Sequence, residues 1–301
     1  MICTDDLIFP DFNDIEVSTR TFTAITNLVI DLDELFQLLP ITEYIEIPKR
    51  RGRKKKEGEN INPNKHINPG SIITLKYKDS IRGVSLKKKK ASDKKWFRNS
   101  FTVVIVLDKH INFKVCRNGT FQMTGCKTID HALQCVQYIW KYIKDQKHIY
   151  NFSRNNKLEV LFAPAMRNID FSLGFKVDRE KLAQYMATTD FPCLLEISFG
   201  YTGVNIKIPL EKDITELEVT KMTDVKEGYN TEIVDYKNYL DLLSDKDRRN
   251  KMSKIRYNTF LVFHSGKVIM SGINEEFMRD VYYDFLKIIR SSFDKIEERL
   301  D

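Results

Sequence analysis

The sequence has few of the residues that build disulfide frameworks, metal sites and catalytic centres. Its 301 residues include five cysteines and five histidines. The cysteines are odd in number and form no CxxC pair, so we expect reduced thiols of an intracellular protein and no zinc site. The sequence also has no Walker loop, no GxSxG and no HExxH motif. These absences argue against an enzyme and predict no catalytic residue, no metal and no cofactor.

A long hydrophobic run is missing as well. No stretch approaches the roughly 18 apolar residues that a membrane-spanning helix needs. The first residues, MICTDDLIFPDF, are acidic and contain no basic region, so we do not expect a signal peptide. We therefore expect no membrane partner. The hydrophobic content of 42%, with 19 Phe and 13 Tyr, is sufficient for large cores.

The net charge of +7 is distributed very unevenly along the chain. Residues 1–48 contain one Arg and ten acidic residues, and residues 49–98 contain 18 Lys and Arg against four acidic residues. Residues 1–17 are therefore predicted to form an acidic tail. The cluster Lys49–Lys56 fits a solvated loop, a nuclear-targeting signal or a phosphate contact, and Lys87–Lys90 fits a solvated loop.

One stretch of the sequence occurs twice. Phe113–Gly125 reads FKVCRNGTFQMTG, and Phe260–Gly272 reads FLVFHSGKVIMSG. Each copy predicts a strand, a tight turn at Asn-Gly or Ser-Gly and a second strand, and an amphipathic helix follows each copy. A repeated hairpin and helix predict two similar halves.

Each predicted half contains a strand, a short helix, several strands and a long helix. The first half spans residues 18–150, with strands at 18–26, 71–77 and 100–107 and helices at 31–39 and 128–149. The second half spans residues 151–301, with an apolar lead-in at 158–163, strands at 166–177, 191–199 and 204–209, and helices after the N-cap Asp178 and at 275–300. A polar insertion at 211–256 interrupts it, with a predicted helix near 236–243.

With both copies aligned, the chain resembles the TATA-binding protein family. The second hairpin, VFHSGKVIMSG at 262–272, matches the family's most recognisable stretch. Phe191-Pro192 matches a second signature, and Met166–Ile169 resembles the strand that carries the family's central Asn. The resemblance covers about residues 18–150 and 165–298. The longer loops are similar to the versions that large nucleocytoplasmic DNA viruses carry.

The resemblance implies an α+β fold in which two pseudo-symmetric repeats form one curved antiparallel sheet, a saddle, with helices on its convex face. It also implies a transcription initiation factor that binds and bends AT-rich promoter DNA through the minor groove. Its protein partners would be a B-type initiation factor and RNA polymerase. A viral protein would act in the viral factory in the host cytoplasm, or in the virion, and any other version would act in the nucleus.

The residues of the hairpins that alternate away from the helices would form the DNA-binding face. In the second half this face is apolar, which is unusual for a solvated surface. By match to the family, Phe191 and Phe263 would insert between base steps, and Asn168, Thr124 and Ser271 would donate or accept the few hydrogen bonds that a minor groove allows. The predicted DNA-binding residues are Lys114, Gln122, Thr124, Asn168, Phe191, Leu261, Phe263, Ile269 and Ser271.

The first half departs from the family pattern. Lys114, Gln122 and Cys116 stand where apolar residues are expected, and Asp170 falls near the centre of the proposed DNA face. One hypothesis is that only the second half inserts side chains between bases. The alternative is a protein-interaction scaffold that has lost specific DNA binding. Phe191 and Phe263 could also be core residues, and Asn168 could satisfy a turn.

Overall fold

A computed structural model describes residues 7–46, 63–85, 99–196 and 203–298. Within these ranges, in chain order, the strands are β1 Val17–Thr26, β2 Leu28–Ile30, β3 Ser71–Tyr77, β4 Ser80–Gly83, β5 Ser100–Val106, β6 His110–Cys116, β7 Thr120–Cys126, β8 Tyr150–Phe152, β9 Glu159–Ser172, β10 Cys193–Glu196, β11 Gly203–Pro209, β12 Glu218–Val225, β13 Gly228–Asp235, β14 Tyr257–Phe263 and β15 Lys267–Gly272. The helices are α1 Leu32–Leu38, α2 Ile129–Ile143, α3 Arg179–Met186, α4 Tyr236–Leu240, α5 Asp245–Ser253 and α6 Glu276–Ile296. The clusters Lys49–Lys56 and Lys87–Lys90, for which the sequence suggested loop or binding roles, lie outside the described residues.

Two short helices begin at the aspartates that cap them. Asp31 accepts hydrogen bonds from the backbone N–H groups of Asp33 and Glu34, and Asp178 accepts them from Glu180 and Lys181. Each cap satisfies N–H groups that have no partner inside the helix. The sequence prediction of both helix starts is therefore confirmed.

The described residues divide into two compact units. Unit 1 comprises the described parts of residues 1–21, 163–219 and 234–301, and unit 2 comprises those of residues 22–162 and 220–233. Both units combine antiparallel strands with helices, which confirms the α+β class. The single saddle, the pseudo-symmetry of the halves and the convex position of the helices stay predictions.

Unit 2 contains the strand order β7-β6-β5-β3-β4, with every neighbouring pair antiparallel. Helix α2 packs against β6 and β7 through its predicted apolar stripe, in which Val136, Ile139 and Ile143 are buried. The rings of Phe113 and Phe121 stack in this core with centroids 6.3 Å apart.

Unit 1 contains the strand order β10-β11-β14-β15-β9, again antiparallel. Its core lies between this sheet and helices α3 and α6. The ring of Phe260 on β14 stacks on Phe285 of α6, with centroids 4.0 Å apart and planes at 9°. One face of the unit 1 sheet is therefore covered by helix α6.

The two predicted hairpins have the same internal register. Phe113 pairs with Met123 in β6–β7, and Phe260 pairs with Met270 in β14–β15. The turn glycines, Gly119 and Gly266, have φ values of +73° and +77°, which side-chain-bearing residues rarely adopt. The hairpin prediction is confirmed at both positions.

The N-terminal segment differs from the predicted acidic tail. From Leu7 onward it packs into the core of unit 1, where Phe12 is buried and lies 5.4 Å from the Tyr282 ring. Tyr282 Oη donates a hydrogen bond to the Pro10 carbonyl oxygen at 2.7 Å, and Arg290 donates to the Leu7 carbonyl oxygen at 2.9 Å. The prediction of a tail relied on the acidic residues and gave no weight to the apolar residues, which anchor this segment in the core.

The polar insertion at 211–256 is folded. It forms β12, β13, α4 and α5, and α4 lies in the region where the sequence predicted a helix. Strand β12 pairs with residues 159–162 of β9. This partner explains why the predicted lead-in at 158–163 joins the following strand as one 14-residue strand.

Candidate nucleic-acid interface

The strand register of unit 1 assigns residues to two opposite faces of its sheet. Ile206, Phe260, Met270 and Ile169 are partners in one row across β11, β14, β15 and β9, and all four are buried. Phe260 contacts helix α6 through Phe285. Since successive residues of a strand point to opposite faces, the neighbouring row points away from the helices.

That neighbouring row is mainly apolar. It runs across five strands as Leu194, Asn205, Leu261, Ile269 and Asp170. Leu194 is 59% exposed, and Leu261 and Ile269 are half-buried. Among the described residues, none of the three belongs to a core cluster. We call this side of the unit 1 sheet the open face.

A polar row lies beside the apolar one. Lys207, Thr259, Ser271 and Asn168 are successive partners on the open face, and the Ser18 hydroxyl donates to the Asn168 carbonyl oxygen at 3.2 Å. The side-chain oxygens of Asn168 and Asn205 are shielded from solvent and have no hydrogen-bond partner among the described residues. An unpaired buried amide oxygen is costly, and only a hydrogen-bond donor would satisfy it.

Gly203 and Phe263 are partners next to this apolar row. A Cβ on Gly203 would lie 2.7 Å from Leu261 Cδ1, so the Leu261 side chain occupies the space over this glycine. Phe263 is half-buried on the same face as Leu261, two residues along β14. The alternation of residues in the sequence predicted that Leu261 and Phe263 lie on this face.

Phe191 is placed differently from the prediction. The backbone N–H of Lys207 donates to the Pro192 carbonyl oxygen, which extends the β10–β11 ladder by one residue. Phe191 packs against the unit 1 core together with Cys193 and Leu195, at positions two and four residues further along the chain. Its side chain therefore joins the helix-covered face, and the exposed apolar residue of this segment is Leu194. The sequence interpretation placed Phe191 and Phe263 on one DNA-binding face. The structure corrects this, because Phe191 lies on the opposite face of the sheet from Phe263.

The three predicted residues of the first hairpin lie together in unit 2 on a polar surface. Lys114 and Gln122 are partners across β6–β7, and Thr124 Oγ1 donates to the Asn112 carbonyl oxygen at 3.1 Å. Burial raises the pKa of the neighbouring Cys116 thiol, and Lys114 partly offsets this shift. This surface has the polar character that the sequence predicted.

Sequence reasoning missed two residues of the open face. Leu194 was included in a strand but not assigned to a face, and Asn205 was not considered. The alternation of β11, VNIKIP, contained the signal for Asn205, because Val204, Ile206 and Ile208 alternate with polar residues. The position of both residues beside Leu261 depends on strand register, which the sequence did not fix.

The described ranges contain neither a metal-binding cluster nor a membrane-spanning helix. No group of three or more His, Cys, Asp or Glu side chains is arranged to hold a metal ion there. None of the described helices combines the length and the apolar character that crossing a bilayer requires.

Comparisons with known proteins give two sequence relatives. No family model matches the chain. The chain is 28% identical over 299 residues to "Uncharacterized protein 335L" of Invertebrate iridescent virus 6, covering 92% of this chain and 84% of that protein. It is 32% identical over 148 residues to a "TATA-box-binding protein-like" protein of Acanthamoeba polyphaga mimivirus, covering 41% of this chain and 40% of the mimivirus protein. The predicted resemblance to the TATA-binding protein family, in a divergent viral form, is confirmed.

The chain is also similar to solved structures. "Methanococcus jannaschii TBP" covers 94% of this chain and 99% of its own length, with a TM-score of 0.46 and 14% sequence identity.

Proposed function

We propose that the open face of unit 1 binds the minor groove of AT-rich promoter DNA, and that the protein acts as a transcription initiation factor. The observation that carries this proposal is the row of Leu194, Leu261 and Ile269 on the sheet face opposite helix α6. The sequence relative named "TATA-box-binding protein-like" supports it.

An apolar strip fits a minor groove because sugars and base edges present apolar surface there. Minor-groove proteins also press apolar side chains between base steps, which unstacks the bases and bends the duplex. This mechanism is known for the TATA-binding protein and is carried over by resemblance. In this chain Leu261, Phe263 and Ile269 would make such contacts, and the bend would be larger at the unit 1 end.

The amides of the open face supply the polar part of the interface. The minor groove of an A·T pair presents only acceptors, the adenine N3 and thymine O2 atoms. Asn168, Asn205 and Ser271 each have a group that can donate to them. A G·C pair adds the guanine amino group, which would clash with an apolar strip, so AT-rich DNA is favoured.

The remaining parts of the proposed role follow from the resemblance. A B-type initiation factor and RNA polymerase would be recruited by surfaces outside the open face. A viral protein of this kind would act in the viral factory, where viral promoters are transcribed.

A second candidate is a protein-interaction scaffold that no longer binds DNA specifically. Asp170 favours it, because this exposed carboxylate lies beside Ile269 in the same row and would repel the phosphates of a bound duplex. The polar surface around Lys114 and Gln122 favours it as well.

Fluorescence anisotropy with short duplexes separates the two candidates. We expect the native protein to bind an AT-rich duplex and an inosine·cytosine duplex with similar affinity, and a G·C duplex more weakly. Inosine·cytosine pairs present the minor groove of A·T and the major groove of G·C, so this order is specific to a minor-groove reader. If the protein binds all three duplexes with equal affinity and loses this binding at high salt, the binding is only electrostatic.

Substitutions on the open face test the same point. The double change Leu261→Ala and Ile269→Ala should weaken AT-rich binding roughly 30-fold, at about 1 kcal/mol for each half-buried side chain. Ile255→Ala changes an apolar residue of unit 1 that is 69% exposed and should leave affinity unchanged. Unaltered affinity in the double variant, with an intact fold by circular dichroism, would favour the scaffold.

A further inference from the structure

The insertion hairpin β12–β13 lies against helix α2 within unit 2. Met222 of β12 is fully buried in the unit 2 core, and Gln137 Nε2 lies 3.4 Å from its sulfur. Trp140 Nε1 donates to Asp224 Oδ2 at 3.0 Å, and the Asp224 backbone N–H donates to the Leu158 carbonyl oxygen at 2.9 Å. The hairpin is thus anchored to the helix by core packing and by hydrogen bonds.

A cleft of about 400 Å³ lies between the hairpin and the helix. Its size is in the range of pockets that bind small ligands or short peptide segments. Helix α2 and the hairpin each contribute five residues to its lining: Gln134, Gln137, Tyr138, Lys141 and Lys144 from or directly after the helix, and Asp224, Val225, Lys226, Gly228 and Tyr229 from the hairpin.

The cleft carries positive charge without matching carboxylates. Lys141, Lys144 and Lys226 are exposed, and among the described residues none of them has a carboxylate within ion-pair distance. The acidic lining residue, Asp224, accepts its hydrogen bond from Trp140. Burial, followed by the nearby Asp224 carboxylate, raises the pKa of Tyr229, which keeps this hydroxyl protonated as a donor. The cleft therefore offers cationic groups, a phenol and amides to an anionic ligand.

We propose that this cleft is a docking site for a short acidic peptide segment of a partner protein. Two aspartate or glutamate side chains could pair with Lys141 and Lys144, which lie three residues apart at the end of the helix, while Lys226 would approach from the hairpin. The amides of Gln134 and Gln137 can hydrogen-bond a peptide backbone. A duplex is too wide for this cleft. A peptide backbone offers both donors and acceptors to the amides of Gln134 and Gln137, whereas the sugar–phosphate backbone of a DNA strand offers acceptors only, which favours the peptide.

The cleft and the open face proposed to bind DNA share no residue, because all residues of the cleft belong to unit 2. Helix α2 and the insertion hairpin line the cleft, and none of its lining residues is assigned to DNA binding. Its test is therefore independent of the DNA-binding test.

A fluorescein-labelled 12-residue peptide of alternating Glu and Gly is a suitable probe, with anisotropy as the readout. We expect saturable binding to the full chain, and we expect Lys141→Glu with Lys144→Glu to weaken it roughly 2- to 30-fold, at 0.2–1 kcal/mol for each exposed ion pair. The single change Lys226→Gln should weaken binding less. The matched control changes Lys127→Glu and Lys157→Glu, two exposed lysines of unit 2 outside the cleft, and should leave affinity within twofold of native.

Three results would overturn the proposal. The first is no binding of the peptide by native protein. The second is an equal loss in both double variants, which would indicate a diffuse charge effect. The third concerns a single-stranded oligonucleotide. If it binds more tightly than the peptide, is not displaced by the peptide and no longer binds the Lys141/Lys144 variant, the cleft is a nucleic-acid site. Thermal unfolding curves that overlap the native curve exclude misfolding of the variants.

Discussion

Ile269 and Asp170 are direct partners across β15 and β9, so an apolar side chain and an exposed carboxylate lie side by side on the open face of unit 1. A carboxylate at this position repels the phosphates of a bound duplex. We expect Asp170→Asn to tighten duplex binding by about 2- to 5-fold at low salt, and the gain to shrink as salt screens the charge.

Glu180→Gln is the matched control, because it removes one negative charge from helix α3 on the helix-covered side. It should change affinity little. Weaker binding by Asp170→Asn would mean that the carboxylate makes a favourable contact with DNA.

Phe191 provides a test of the corrected placement. Because it packs against the unit 1 core, Phe191→Ala should lower the free energy of unfolding by about 1–3 kcal/mol, less than the ~3–5 kcal/mol expected for the fully buried Phe285→Ala. Urea unfolding measures both changes. The DNA affinity of Phe191→Ala should stay within twofold of native. A loss of affinity of tenfold or more with unchanged stability would instead restore the role that the family match implied.

A side chain at a left-handed position costs stability through backbone strain and, where space is short, through overpacking. Substitutions at Gly174 and Gly266 measure these two costs separately. Both have positive φ values, +77° and +83°. A Cβ on Gly266 would lie 2.0 Å from the Phe175 carbonyl oxygen, whereas nothing lies within 4 Å of one on Gly174. We expect Gly174→Ala to cost about 1–2 kcal/mol of stability from backbone strain. Gly266→Ala should cost a further ~1–3 kcal/mol from overpacking. Equal unfolding midpoints for the two variants would contradict this close approach.

The cysteines of unit 2 give a prediction about pH. Burial raises the pKa of Cys116, and burial raises that of Cys126 to about 11. The thiolate is the reactive form, so alkylation of native protein at pH 8 should be slow at both positions and should keep rising at Cys126 up to about pH 11. Site-resolved mass spectrometry after iodoacetamide treatment measures the rate of alkylation at each cysteine as a function of pH.

The same pKa shift has a consequence for stability. The folded pKa of Cys126 lies above the unfolded value. The contribution of the buried, protonated thiol to the free energy of unfolding is therefore fully present below the ordinary thiol pKa near 9, and it is lost as the pH rises toward 11. Rapid alkylation of Cys126 in native protein at pH 8 would show that its environment is open.

The sequence by itself determined much of the local structure and the resemblance to the TATA-binding protein family. Alternation and the Asn-Gly and Ser-Gly turns were sufficient to predict both hairpins, and Asp31 and Asp178 marked the helix starts. The amphipathic stripe predicted α2, and the residues of the second hairpin indicated the TATA-binding protein family. These features depend on neighbours within one element, so periodicity and capping chemistry reveal them.

Only the tertiary structure decided which residues share a face. Leu194 and Asn205 join Leu261 because the β10–β11–β14 register aligns them, and Phe191 turns toward the core for the same reason. The packing of Phe12 under α6 and the pairing of β12 with β9 link residues that are distant in the sequence. A one-residue change of register would exchange the two faces of a strand, and local sequence patterns do not determine the register between distant strands.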